Sequence, residues 1–331
     1  MIIESRVYAR AGLLGNPSDG YFGKTISISV RNFGAQISLY QTPELCIEPQ
    51  RQDMMVYKNI YELYESIQLN GYYGGDRLIK ATIKKFLEYC EQNQIRFDFK
   101  NFTIRYQSSI PRQVGLAGSS AIITATFKAL MRFYKVKIAK EILPTLILKT
   151  ETEELGINAG LQDRVIQVYE GCVYMDFNKE YFSKNKYGRY EALDTALLPK
   201  LYIAYRTDLS KVSGHVLGNI KSRYDAGDRE VVDTLSSIAE LAREGKNALQ
   251  SGDADRLNQL INANFDLRSE IMPISDENLN LIRTARACGA SAKFAGSGGS
   301  IIGIYMDDEM LNHLQLEMHK VRARVIKPYV I

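Results

Sequence analysis

Residues 111–121 read PRQVGLAGSSA, and the helix-forming run IITATFKALMRFY follows without a break. Three small residues, Gly118, Ser119 and Ser120, thus stand where a long amphipathic helix begins. Two readings compete. Either the glycine turns the chain and the serines cap the helix, or the stretch leaves backbone N–H groups facing an anion, as phosphate-binding helix N-termini do. It is not a Walker A loop, because no GK[ST] follows, and its spacing does not give GxGxxG in a βαβ setting. Two further glycine-rich loops occur, AGLLGNPSDGYFGKT at 11–25 and KFAGSGGS at 293–300. One such loop is commonplace. Three, each flanked by a strand pattern, together mark a place where backbone must approach a ligand closely.

Outward from these loops, VYARAGLLG, KTISISV, GAQISLY and FDFKNFTIRYQSSI carry the alternation of strands. DRLIKATIKKFLEYCEQN places Leu78, Ile79, Ile83, Phe86 and Leu87 at helical spacing. AKEILPTLILKTETEELG reads as a helix started or kinked near Pro144, NAGLQDRVIQVYEG as a turn and a short helix, and CVYMDF as a strand. Periodicity fails around 178–200, which divides the chain into domains at 1–190 and 191–331. Beyond it come the strand LYIAYR, two helices over 229–262 separated by SGDAD, the helix ENLNLIRTARACGA, and the closing strand ARVIKPYVI. Helices and strands mix without a regular βαβ repeat, so the expected class is α+β.

With 331 residues, 45% hydrophobic and 24% charged, the composition is that of an ordinary globular protein. The 42 Lys and Arg are spread among 38 acidic residues for a net +4, which gives no tract for nucleic acid but suits a small anionic substrate. Cys46, Cys90, Cys172 and Cys288 form no CxxC pair and lie in or beside apolar sequence, as buried thiols do in a reducing compartment. His215, His313 and His319 lack the carboxylate spacing of a zinc site. MIIESRVYAR lacks a signal peptide's apolar core, and no apolar run reaches the roughly 18–20 residues of a membrane helix. The expectation is a soluble, cytoplasmic protein.

The order and content of the three loops resemble the GHMP kinase superfamily of small-molecule kinases. That family has an N-terminal sugar-site motif, a central Pro-x-x-x-Gly-Leu-x-Ser-Ser-Ala phosphate loop and a C-terminal glycine-rich motif. Pro111, Gly115, Leu116, Ser119, Ser120 and Ala121 match the second with one extra residue before the serines, and GASAKFAGSGG at 289–299 looks like the third. Within the superfamily the chain is most similar to the glucuronokinases, in GLLGNPSD, PRQ-x-GL-x-GSSAI, GLQDRV-x-QVY and AKF-x-GSGG. The resemblance covers nearly the whole chain. It implies a ribosomal-protein-S5-like α+β N-terminal domain, a ferredoxin-like C-terminal domain and a site in the cleft between them, with ATP and Mg²⁺ as cofactors.

Phosphoryl transfer needs cradled phosphates, magnesium, charge stabilisation and an oriented hydroxyl. The resemblance assigns the ATP phosphates to Pro111 and to Gly115, Leu116, Ala117, Gly118, Ser119, Ser120 and Ala121. It assigns magnesium to Ser119 or Ser120 with Glu151, for which Glu153 and Glu154 are rivals. Asp163 in GLQDR takes the position of the family's catalytic aspartate. Arg10, six residues before Asn16, takes that of a basic residue ahead of the sugar loop, with Lys24 a second candidate for the same positive field.

The expected acceptor is D-glucuronate, phosphorylated at its anomeric hydroxyl. The alternatives are another sugar, such as galactose, galacturonate or a heptose phosphate, or a non-catalytic sensor on the same fold. Where galactokinases carry Glu-His-x-Asp, this chain has Asn16-Pro17-Ser18-Asp19. Loss of one carboxylate there suits an anionic sugar. Asn16, Asp19 and Tyr21 are the candidates on the sugar side, joined by Arg164 and by Gly296, Gly298 and Gly299 from the third loop. Arg112, Arg164, Arg206 and Lys293 remain open as partners for a substrate carboxylate. His215 in KVSGHVLGN also matches the glucuronokinase pattern, with no role assigned.

Overall fold

KTISISVRNFGAQISLYQ folds as one strand rather than two: β2 (Lys24–Gln41), the spine of the first sheet. The computed structural model describes residues 2–48, 74–98, 100–208 and 216–331, with side chains from 220 onward in the last stretch. Along one edge of β2 runs β1 (Ile2–Leu14), antiparallel throughout. The register jumps between Tyr8 and Ala9, whose partners are Gly34 and Val30, so a bulge lets the long ribbon bend. The other edge of β2 is shared. β4 (Phe102–Ser108) pairs with Ala35–Gln41, and β5 (Cys172–Asp176) with Lys24–Ile28. β3 (Cys46–Glu48) and β6 (Arg189–Leu193) complete six strands.

The helix Gly118–Phe133 lies against β1, β2 and the helix Gly75–Gln92. It is buried nearly all round rather than on one stripe, from Ala121 and Ile123 to Thr124 and Phe127. That burial pins the helix's N-terminus, and with it the glycine-serine stretch, at the end of the sheet.

Chain direction leaves the first sheet at Leu193 and enters the second at β7 (Leu201–Arg206), a few residues beyond the expected division at 190. The second sheet adds β8 (Lys293–Phe294), β9 (Ser300–Ile304) and β10 (Ala323–Ile326), all antiparallel in the order β10-β7-β9-β8. Numbered within this sheet the order is fourth, first, third, second, the ferredoxin-like arrangement.

Two long helices join the halves. Asp228 caps Arg229–Ser251, Gly252 ends it in the left-handed conformation, and Asp253 caps the next, Ala254–Ile271. This second helix runs well past the end expected at 262. The first packs on β2, the second on β1, β8 and β9, so the ends of both sheets meet at one place. Among the thiols, Cys90 and Cys172 are buried as expected, but Cys288 is half-buried and Cys46, on β3, is exposed. Among the described residues no helix is long and apolar enough to cross a membrane.

Candidate active site

Arg10, near the end of β1 and only 4% exposed, ties the three glycine-rich loops together. Its Nη1 donates to the carbonyl of Gly115 in the second loop at 2.7 Å and to that of Ala295 in the third at 2.8 Å. Its Nε and Nη2 donate to the two carboxylate oxygens of Asp163 at 2.5 and 2.8 Å. The first loop joins through Gly12 N, which donates to the same Ala295 carbonyl at 2.7 Å. So close an approach explains two glycines. A Cβ on Gly296 would lie 2.3 Å from the Gly115 oxygen and 2.7 Å from Arg10 Nη1, and one on Gly115 would lie 2.6 Å from the Gly298 oxygen.

At the second loop the capping reading fails. The residue preceding the helix is Ala117, in the left-handed conformation with φ 60°, and no side chain caps the helix. Among the described residues the first-turn N–H groups therefore have no side-chain acceptor, and they open on a cavity of about 310 Å³ lined by Pro111, Gly115, Leu116, Ala117, Gly118, Ser119 and Ser120. Ala121 lies in the helix interior and lines no part of it.

Behind this wall Ser120 Oγ donates to Glu151 Oε1 at 2.9 Å, and Arg164 pairs with Oε2 of the same carboxylate. Glu153 and Glu154 face the other way, toward Lys85 and, for Glu154, Lys84 as well. Of the three acids, Glu151 alone meets a serine of the second glycine-rich loop. Arg164 also donates to the Gly160 carbonyl at 2.7 Å and lies 3.3 Å from Asp163 Oδ2. Its charge is thus already matched by protein carboxylates, which argues against the substrate role expected for it.

Asp163, in the first turn of the helix Gln162–Tyr169, borders this cavity and a second one of about 260 Å³. Arg10, Arg164, Ile157 and Ser297 are likewise shared by both. Burial pushes the Asp163 carboxyl up, but the charges of Arg10 and Arg164 outweigh it and hold it below the usual carboxylate range. The second cavity also contains Asn16, Asp19, Tyr21 and Gly296. Asp19 accepts from the Gln162 N–H at 3.1 Å. Burial, then the Asp163 charge, raise its carboxyl to about 6. Asn16 is less free than expected, because Lys293 donates to its amide oxygen. Tyr21 packs against Tyr224 in a tilted ring pair with centroids 4.7 Å apart.

Gly298 and Gly299 line neither cavity. They pack the third loop on Gly115, Val114 and Asn278. Lys293 is buried beneath the first loop, donating to the Gly12 carbonyl at 2.7 Å, and Arg206 pairs with Asp208. Neither lines the second cavity; Arg112 lies on the first, and Lys24 on neither. His215 lies outside the described residues.

Two site residues escaped the sequence reading. Asn264 accepts from Gly15 N at 2.7 Å and donates to the Asn16 carbonyl at 3.2 Å, which fixes the first loop. Arg268, one turn further along the same helix, lines the second cavity. The signal was present: Leu257, Leu260, Ile261, Asn264, Phe265 and Arg268 share one buried stripe, and polar residues on such a stripe call for a reason.

Comparisons with known proteins place the chain as a whole. The family model for the GHMP kinases N terminal domain matches residues 77–171, and that for the GHMP kinases C terminal domain matches 246–322. The probable glucuronokinase 2 of Arabidopsis thaliana is 44% identical over 91% of this chain and 84% of its own. Glucuronokinase 1 of the same plant is 42% identical over the same shares. The galactokinase of Lactococcus lactis, solved with galactose, superposes with a TM-score of 0.75 at 16% identity, over 99% of this chain and 93% of its own. With both halves of the domain pair matched, and relatives above 40% identity spanning nine-tenths of its length, the chain belongs to the GHMP kinase family.

Proposed function

We propose that this enzyme transfers the γ-phosphoryl group of ATP to the anomeric hydroxyl of D-glucuronate, giving glucuronate 1-phosphate. One observation carries the reading: Asp163 and Arg10 stand on the wall common to the cavity at the uncapped helix and the cavity of Asp19 and Tyr21. A phosphate tail in the first and a sugar in the second would meet at that wall.

The backbone N–H groups at 115–120 and the helix dipole hold the phosphates. Asp163, ionised and locked by two hydrogen bonds from Arg10, accepts a hydrogen bond from the anomeric hydroxyl and so aims its oxygen at the γ-phosphorus. A carboxylate held below its usual range is too weak a base to deprotonate a ground-state hydroxyl. It suits a loose transition state, in which the proton leaves late. As the new O–P bond forms and the bond from the γ-phosphorus to the bridging oxygen of ADP breaks, that proton passes to Asp163. Four of the five Arg10 N–H groups are already engaged within the protein, which leaves one for a phosphoryl oxygen.

Magnesium, a hard cation with few protein ligands, fits the donor chemistry of Ser120 Oγ and the Glu151 carboxylate, which already converge at 2.9 Å; Ser119 on the cavity wall is a further oxygen donor. Bound there with ATP, it would neutralise charge on the phosphates. The test of the whole reading is an ADP-release assay with glucuronate, galacturonate, glucose and galactose. Glucuronate should turn over fastest, and faster turnover of galactose would reject the assignment.

A further inference from the structure

A hexuronate brings a carboxylate that must shed water to bind, and an uncompensated buried charge is costly. The cavity of Asn16, Asp19 and Tyr21 contains one buried cation that feels the charge of Asp19 but forms no direct ion pair with a described carboxylate. Arg268 is 2% exposed. Its Nη1 donates to the Gly296 carbonyl at 2.9 Å, and its Nε, fully buried, has no hydrogen-bond partner among the described residues. The other two arginines of the cavity, Arg10 and Arg164, each pair with a carboxylate. Among the described residues no carboxylate pairs with Arg268. Its guanidinium carbon lies over the Phe294 ring, 5.0 Å from the centroid, a cation–π contact.

We infer that Arg268 is the specificity residue that receives the sugar's carboxylate, through guanidinium N–H groups that no acceptor among the described residues takes; this rests on the glucuronate reading above. A planar fork is what bidentate carboxylate recognition requires. Burial pushes the pKa of Arg268 down to about 10, so the group is still a cation at neutral pH. The rival on the same wall is Lys221, but it is exposed, and an exposed ammonium is screened by water and salt.

The test compares kcat/KM for D-glucuronate and for D-glucuronamide, its uncharged isostere, at saturating ATP. The native enzyme should prefer the acid by about 100-fold, the scale of a desolvated charge pair. In R268Q, whose amide can still donate to the Gly296 carbonyl, that preference should fall to within about threefold of unity. In R268K, which keeps the charge but not the fork, it should fall about tenfold. If thermal melting shows R268Q to be unfolded, R268K carries the test. Retention of the native preference in the folded variants would overturn the assignment. So would its loss in K221Q with R268Q unchanged, or a KM for ATP that rises as far as the KM for glucuronate. A native enzyme inert toward glucuronate but active on another sugar would instead overturn the glucuronate reading, and the two failures are distinct.

Discussion

Replacement of Asp163 by Asn separates a chemical role from an architectural one. Both native oxygens accept from Arg10, at 2.5 and 2.8 Å, and Arg164 stands 3.3 Å from Oδ2. The amide keeps the shape and one acceptor. The other oxygen becomes an NH₂ group facing a guanidinium donor, and the negative charge between two buried cations is lost. Losing a proton acceptor costs about 10²–10⁴ in rate, and the misaimed hydroxyl adds to this. A fall in kcat of about 10³–10⁴ is expected, or about 4–5.5 kcal/mol at 1.36 kcal/mol per decade. Removing one partner of a buried pair costs about 3–5 kcal/mol of stability. The Asp163 side chain is 17% exposed, which points to the lower end. Arg10 still donates to the Gly115 and Ala295 carbonyls in the variant, so the loops stay joined and ATP should bind within about threefold of native affinity. Single-turnover kinetics, calorimetric ATP titration and a thermal melt measure the three quantities separately. A folded variant with kcat within tenfold of native refutes the chemical role. ATP affinity collapsing in step with kcat would make Asp163 a structural strut instead.

Three further outcomes follow from the same geometry. Glu151→Gln leaves Arg164 buried without its main carboxylate, so stability should fall by about 3 kcal/mol or more and the magnesium concentration for half-maximal rate should rise; an unchanged melt and magnesium dependence would contradict this. Because the Asp19 carboxyl titrates near 6, the KM for sugar should climb as pH drops through that value, by up to about tenfold per unit, while D19N shows a flat profile. The same raised value means that the native chain holds the proton more tightly than the unfolded one, so this group's stabilising contribution is lost as pH rises from 3.8 through about 6. In Gly296→Ala the new methyl would meet the Gly115 carbonyl at 2.3 Å, so the variant should lose about 1–3 kcal/mol and at least tenfold in kcat; native-like kinetics would show that the loops can part at no cost.

The sequence made the three loops, the helix they precede and the α+β class legible, because each rests on local chemistry: glycine where backbone crowds, alternation where a face is buried. Motif order alone put Arg10 and Asp163 at one site; their pairing has no local signal, since 153 positions separate them. What escaped reading is what depends on direction. Lys293 adjoins the third loop, yet its side chain turns beneath the first, which no spacing rule reveals. Glu151, Glu153 and Glu154 were equivalent in composition; their helix turns one toward Ser120 and two toward Lys85. The helix reaching Ile271 was cut short at 262, which put Asn264 and Arg268 out of view.

Arg10 shows why a chain of two domains is needed for so small a reaction. An arginine whose only duty was to neutralise a phosphoryl group would keep most of its donors free. This one commits two to carbonyls from separate loops, one of them following β8 of the second sheet, and two to the Asp163 carboxylate, proposed above to orient the acceptor. The aim of Asp163 is therefore coupled to assembly of the phosphate loop and the third loop around the same guanidinium. A buried fork with four fixed acceptors has little freedom to rotate, so the carboxylate inherits its rigidity from both sheets at once. Lysine at position 10 would supply the same formal charge but could not span those four acceptors in one plane. Its main deficit should thus lie in kcat rather than in ATP affinity, because what is lost is orientation.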